Sequence, residues 1–246
     1  MQAGLYIAFT GARGAEKRMD RIANNLANVS STGYKQDKVS QSGVAPAGGG
    51  PDVPGPAEGG LLYSAPSAPY LDLSPGTIRH TGNPLDLSID GPGFFVVRTP
   101  EGLRLTRAGN FRIDADGDLA TSLGGKVLGE GGGAIHLGEG RIAVGRDGQV
   151  SVDDAPVGVL DLRRVPDPRL LRKEGSNLFS ATAWEALLPA GPETTVHAGS
   201  LEESNVSAVS MMTEMVEASR MFEAYMRMMT TISELTSKAA GDLGRV

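Results

Sequence analysis

Residues 21–35 read Arg-Ile-Ala-Asn-Asn-Leu-Ala-Asn-Val-Ser-Ser-Thr-Gly-Tyr-Lys, and the fold turns on what this stretch needs. Its apolar residues keep helical spacing, yet three asparagines interrupt them, and Ser-Ser-Thr-Gly then breaks the pattern. Upstream the same spacing continues. Leu5, Ala8, Ala12, Ala15, Met19, Ile22, Leu26 and Val29 alternate by three and four without a break, which is a heptad seam. The spacing predicts a helix over 3–30, about 40 Å long at 1.5 Å per residue. Gly4, Gly11 and Gly14 weaken it, each by up to about 1 kcal/mol relative to Ala. A helix of this kind is marginal alone, and its small seam residues invite a close helical neighbour.

A second seam stands at the other end of the chain. Met211, Met215, Ala218, Phe222, Tyr225, Met229, Ile232, Thr236 and Ala239 again alternate by four and three, predicting a helix over 205–240 with Ser204 or Asn205 as N-cap. Met212, Val216 and Met226 widen the stripe beyond what one partner covers. Methionine is concentrated here, and it suits contacts that differ slightly from neighbour to neighbour. An ordinary core-facing helix would carry the same stripe. Charge pairs the two ends: residues 1–39 are net positive and 201–246 net negative, which favours terminal segments that lie together.

Between them the pattern changes from helical to alternating. Phe94–Val97 is an apolar strand after turn residues. Leu103, Leu105 and Arg107 share a strand face. Asp114-Ala-Asp-Gly117 and Asp147-Gly148 are hairpin signals. Short strands with turns every 8–12 residues predict a largely antiparallel β domain. The expected organisation is a terminal helix over 1–35, an extended Gly/Pro-rich connection over 36–75, a β domain over 76–200 and a second helix over 201–246. The fold class is therefore α+β, with the terminal helices joined in a coiled-coil-like layer.

The bulk numbers narrow the function. The chain has 246 residues, a net charge of −6, 34 glycines and no cysteine. Nucleic acid is not an expected partner of such an acidic chain, and disulfides and thiolate metal sites are excluded. No stretch approaches the roughly 20 apolar residues of a membrane span, and the N-terminus lacks the basic and apolar regions of a cleaved signal. Asp114–Asp118 lacks the spacing of a calcium loop, so it reads as a turn. Gly129–Ala134 lacks the Lys-Ser/Thr of a phosphate loop. His80, His136 and His197 stand apart, outside any metal-binding spacing, and no G-x-S-x-G motif occurs. The basic run Arg163–Lys173 reads as a solvated edge. No catalytic, metal or cofactor residues are expected.

Four segments in order carry a resemblance. Residues 19–35 (MDRIANNLANVSSTGYK) resemble the N-terminal signature of the flagellar rod and hook proteins. Residues 82–97 (GNPLDLSIDGPGFFVV) and 105–129 (LTRAGNFRIDADGDLATSLGGKVLG) resemble that family's central motifs, and 201–229 its C-terminal helix. Within the family, the length and residues 127–151 look most like the proximal-rod member, with the distal-rod member the alternative. The Gly/Pro-rich stretch 43–60 matches no motif.

The resemblance implies a structural subunit of the flagellar basal body. It implies export by the flagellar type III apparatus without a cleaved signal, and helical assembly in the periplasm with copies of itself and neighbouring rod proteins. Its interface residues would be those of the two seams: Leu5, Ala8, Ala12, Ala15, Met19, Ile22, Asn25, Leu26, Asn28 and Val29 on one helix, and Met211, Met215, Ala218, Phe222, Tyr225, Met229 and Ile232 on the other. Asn25 is expected to fix register, Gly33 to stop the helix and Tyr34 to anchor its exit. A β-rich binding module ending in a helical hairpin is the competing reading.

Overall fold

The computed structural model describes residues 2–39, 43–44, 63–64, 69–138 and 140–243. Most of the Gly/Pro-rich stretch 43–60 lies outside the described residues. Only Gly43–Val44 is seen, as a strand paired with Tyr63–Ser64. The chain forms two compact units, one of Met1–Ala27, Asp37–Tyr70 and Ser207–Val246, the other of Asn28–Gln36 and Leu71–Val206.

The first unit is built on two helices, α1 (Gln2–Ala27) and α2 (Ala208–Leu243). Ala8, Ala12, Ala15, Ile22, Met211 and Ala218 are buried, as the two seams require. The pairing is antiparallel and keeps heptad register. A Cβ on Gly4 would meet Ile232 Cδ1 at 3.4 Å, and one on Gly11 would meet Tyr225 Cε1 at 2.4 Å. Arg18 reaches Glu217 and Glu214 at 3.8 and 4.0 Å, and Asn25 Nδ2 approaches Met211 Sδ at 4.0 Å. Each step of seven along α1 thus meets a step of seven along α2. The contact line takes in 4, 8, 11, 12, 15, 18, 22 and 25: it keeps Ala8, Ala12, Ala15 and Ile22 of the line that apolar spacing predicts and shifts toward Gly4, Gly11 and Arg18 beside it. Leu5, placed in the seam by the sequence pattern, is 44 % exposed. Gly11 explains the shift: the Tyr225 ring occupies the space its missing side chain leaves.

Both helix ends differ from expectation. α1 stops at Ala27, short of residue 30. The cap of α2 is Ser207, whose Oγ accepts from Ser210 N at 3.4 Å. Ser204 and Asn205, the expected caps, instead serve the β unit: Ser204 Oγ accepts from Val206 N at 3.2 Å and Asn205 Oδ1 from Gln36 N at 2.8 Å.

In the second unit every strand pairing is antiparallel. The central strand, Phe94–Thr99, pairs with Gly102–Thr106 on one side and with Lys126–Val127 and Leu162–Arg164 on the other. Because successive side chains point to opposite faces, it feeds two cores. Phe95 and Val97 join Leu87, Ile89, Phe111, Leu119, Val150 and Leu160. Phe94 and Val96 join Leu105, Leu128, Leu171, Phe179 and Leu187. Both expected hairpins form. Arg112–Ile113 pairs with Leu119–Ala120 around Gly117, whose φ of +82° suits the tight turn. Ile142–Val144 pairs with Gln149–Val152 around Gly148.

Candidate assembly surface

Side chains with chemical potential come first, because an enzyme would need them gathered. Asp114, Asp116 and Asp118 do converge, but an ammonium group sits among them. Lys126 Nζ lies 2.7 Å from Asp116 and Asp118 and 3.6 Å from Asp114. Hydrogen bonds from Lys126 and then His136 hold the Asp118 carboxyl below its usual value. The same turn uses Asp114 Oδ1 to accept from Asp116 N and Asp118 N, both at 2.9 Å. The cluster is a hairpin turn whose carboxylates are engaged by Lys126 and by the turn's own backbone N–H groups. The basic run at 163–173 is likewise used locally: Arg163 Nε donates to Asp161 at 2.6 Å, and Lys173 Nζ lies 4.0 Å from the centre of the Tyr34 ring.

The β unit carries a buried ionic clamp that the sequence pattern gave no sign of. Glu202 Oε1 accepts from Lys35 Nζ at 2.6 Å and from Gly76 N at 2.9 Å, while Oε2 accepts from Arg107 Nη1 at 3.1 Å. Lys35 is 0 % exposed, Glu202 1 % and Arg107 5 %. Burial lowers the pKa of Lys35 and of Arg107, opposed in each case by Glu202. Lys35 also donates to Ser74 O at 2.8 Å, and Arg107 to Ile89 O and Gly91 O. Gly33 N donates to Glu202 O at 2.8 Å. Gly33 has φ +66°, and a Cβ there would strike the Arg107 carbonyl carbon at 2.3 Å. Gly33 therefore is not the helix stop, which falls six residues earlier; it seats the chain on the β unit. Tyr34, buried beside it, anchors the exit as expected.

The helical unit is where surface remains open. Asn25 closes one end from within: its Nδ2 donates to Asp37 O at 3.0 Å and its Oδ1 accepts from Asp37 N at 3.1 Å. Met19, Leu26, Met215, Phe222, Tyr225, Met229 and Ile232 are half-buried, while Asn28 and Val29 follow the helix end in the β unit. Around these, large apolar side chains face outward. On α1 they are Leu5, Tyr6, Ile7 and Phe9, with Tyr6 70 % exposed. On α2 they form two stripes. Val209, Met212 and Val216 occupy its first turns. Met221, Met228 and Leu235 recur every seven residues and, with exposed Ala224 and Thr231, make a second heptad line. This line stands roughly a third of a turn from the buried seam, at about 100° per residue. In the register above, residues 235–243 overrun the described start of α1, and Leu235 is 58 % exposed there. So many uncovered apolar side chains on one unit mark an interaction surface.

Among the described residues no helix is long and apolar enough to cross a membrane. Three family models match the chain in order. Residues 5–35 match "Flagella basal body rod protein", 88–152 "Flagellar hook protein FlgE/F/G D1 domain" and 197–241 "Flagellar basal body rod FlgEFG protein C-terminal". The flagellar basal-body rod protein FlgF of Caulobacter vibrioides is 32 % identical, with all of both chains covered. FlgF of Rhizobium meliloti is 31 % identical over 99 % of each chain. The rod protein FlgG of Bacillus subtilis is 34 % identical over 96 % of this chain and 97 % of its own. The chain belongs to the flagellar basal-body rod protein family, as a structural, FlgF-like subunit rather than an enzyme.

Proposed function

We propose that this subunit builds the proximal rod by helical self-assembly, its α1–α2 pair docking against the pairs of neighbouring copies and adjoining rod proteins. Each contact joins unlike surfaces, and such a head-to-tail contact propagates as an open helix when its rotation does not close a ring. The carrying observation is the second heptad line on α2, Met221–Ala224–Met228–Thr231–Leu235, left open beside a seam already filled by α1. The outward face of α1 supplies an apolar complement through exposed Tyr6 and Phe9.

The two sets of seam residues then divide by role. Ala8, Ala12, Ala15, Ile22, Asn25, Met211 and Ala218 hold the pair together. Leu5 and the half-covered Met19, Leu26, Met215, Phe222, Tyr225, Met229 and Ile232 are shared with neighbours. The assembled rod lies in the periplasm and transmits torque from motor to hook. The subunit reaches it through the flagellar type III export apparatus without a cleaved signal. A place in the distal rod is the alternative.

The test is the double variant Met228→Asp, Leu235→Asp in the full chain. Both side chains are exposed, so the stability of the free subunit should change by no more than about 0.5 kcal/mol per substitution, and the chain should still be secreted. Rods should remain incomplete. Normal rods from this variant would contradict the docking role of the second line.

A further inference from the structure

We infer that the outward methionines of α2 form an oxidation-sensitive site that decides whether a free subunit can assemble; this rests on the assembly reading above. The residues Met212, Met221, Met226 and Met228 are exposed, between 42 and 56 %, whereas Met211 is 2 % exposed. One helix thus carries two methionine populations in different surroundings. Met221 and Met228 stand in the heptad line proposed to dock, Met212 stands in the stripe at the start of α2, and Met226 lies outside both.

The chemistry needs one co-reactant, a hydroperoxide such as hydrogen peroxide. The thioether sulfur attacks one peroxide oxygen, the O–O bond breaks and an S–O bond forms. The departing hydroxide takes up the proton released from the hydroxyl now on sulfur and leaves as water, giving the sulfoxide. Sulfur is oxidised by two electrons and the peroxide is reduced by two. The product sulfoxide is polar and a strong hydrogen-bond acceptor. Placed in a helix–helix contact it must be desolvated with little to hydrogen-bond to, because the line is otherwise alkyl and thioether groups and the Thr231 hydroxyl already donates to Arg227 O at 3.0 Å. Oxidation before assembly therefore blocks docking, and docking shields the same sulfurs from oxidant. The use of Met where Leu would serve the packing equally makes assembly competence dependent on the oxidation state of the free subunit.

The experiment uses the full chain, dilute and unassembled, exposed to hydrogen peroxide. Peptide mass mapping should show Met212, Met221, Met226 and Met228 oxidising faster than Met211, by about tenfold or more, because Met211 waits on local opening. Sedimentation should then show concentration-dependent association weakened about tenfold for each sulfoxide placed in the contact. The variant with all four exposed methionines replaced by Leu should associate normally and be indifferent to peroxide. Association that survives full oxidation of the four residues would overturn the inference and leave the assembly reading intact. Equal loss in the Leu variant would overturn it too, placing the damage elsewhere. Failure of the untreated chain to associate at any concentration would overturn both.

Discussion

The two units of this chain answer the same requirement, burial of apolar surface, in opposite ways. The β unit closes on itself. Its central strand fills a core on each face, and its buried Lys35 and Arg107 are both paired internally with Glu202. The helical unit pairs one seam and stops. Tyr6, Phe9, Val209, Met212, Met228 and Leu235 stay in water. Two helices cannot do otherwise, since a pair shares a single line of contact while each helix offers a full circumference. The lesson is a division of labour within one polypeptide: one unit covers its apolar surface internally, and the other leaves apolar surface for the neighbours proposed above to cover.

The largest expected effect falls on the closed unit. Glu202→Leu keeps the volume but leaves Lys35 and Arg107 buried without a carboxylate, which should cost about 3–5 kcal/mol. Chemical unfolding followed at Trp184 should register the loss, with α1–α2 helicity little changed at mild denaturant. A shift below about 1 kcal/mol would mean the clamp is solvated, and the contrast between a closed and an open unit would weaken.

A smaller effect probes the seam. At Gly11 an added methyl would lie 2.4 Å from the Tyr225 ring, whereas at Gly14 nothing stands within 4 Å. Gly11→Ala should therefore destabilise the pair by about 1–3 kcal/mol through overpacking, less up to about 1 kcal/mol of helix propensity. Gly14→Ala should gain that propensity alone. Thermal unfolding of both variants sharpens the comparison, and equal gains would refute the register in which Gly11 faces Tyr225.

Local and periodic signals explain what the sequence made legible. Both helices, their seams, the Gly117 and Gly148 hairpins and the buried Phe94–Val97 strand follow from spacing or turn chemistry that acts over a few residues. The opposite charges of the two ends are a real signal, realised between the helices as Arg18 with Glu214 and Glu217. The missed features are those in which a residue acts through what it lacks or through a distant partner. Gly11 has no side chain to enter an apolar count, yet its empty space sets the helix register. Lys35 and Glu202 are 167 residues apart, and no periodicity links them. Ser204, Asn205 and Ser207 are equally good caps in isolation, so local chemistry does not choose among them; the β unit engages the first two, leaving Ser207 to begin the helix.

The sharpest measurement is amide hydrogen exchange on the full chain across a range of concentrations. The account predicts that core strands of the β unit, such as Phe94–Thr99, are protected at every concentration. Protection of α1 and α2 should be low in the dilute monomer and rise as subunits associate. Helices as strongly protected as those strands in a dilute monomer, with no change on association, would contradict it, because the ends would then need no sibling to complete them.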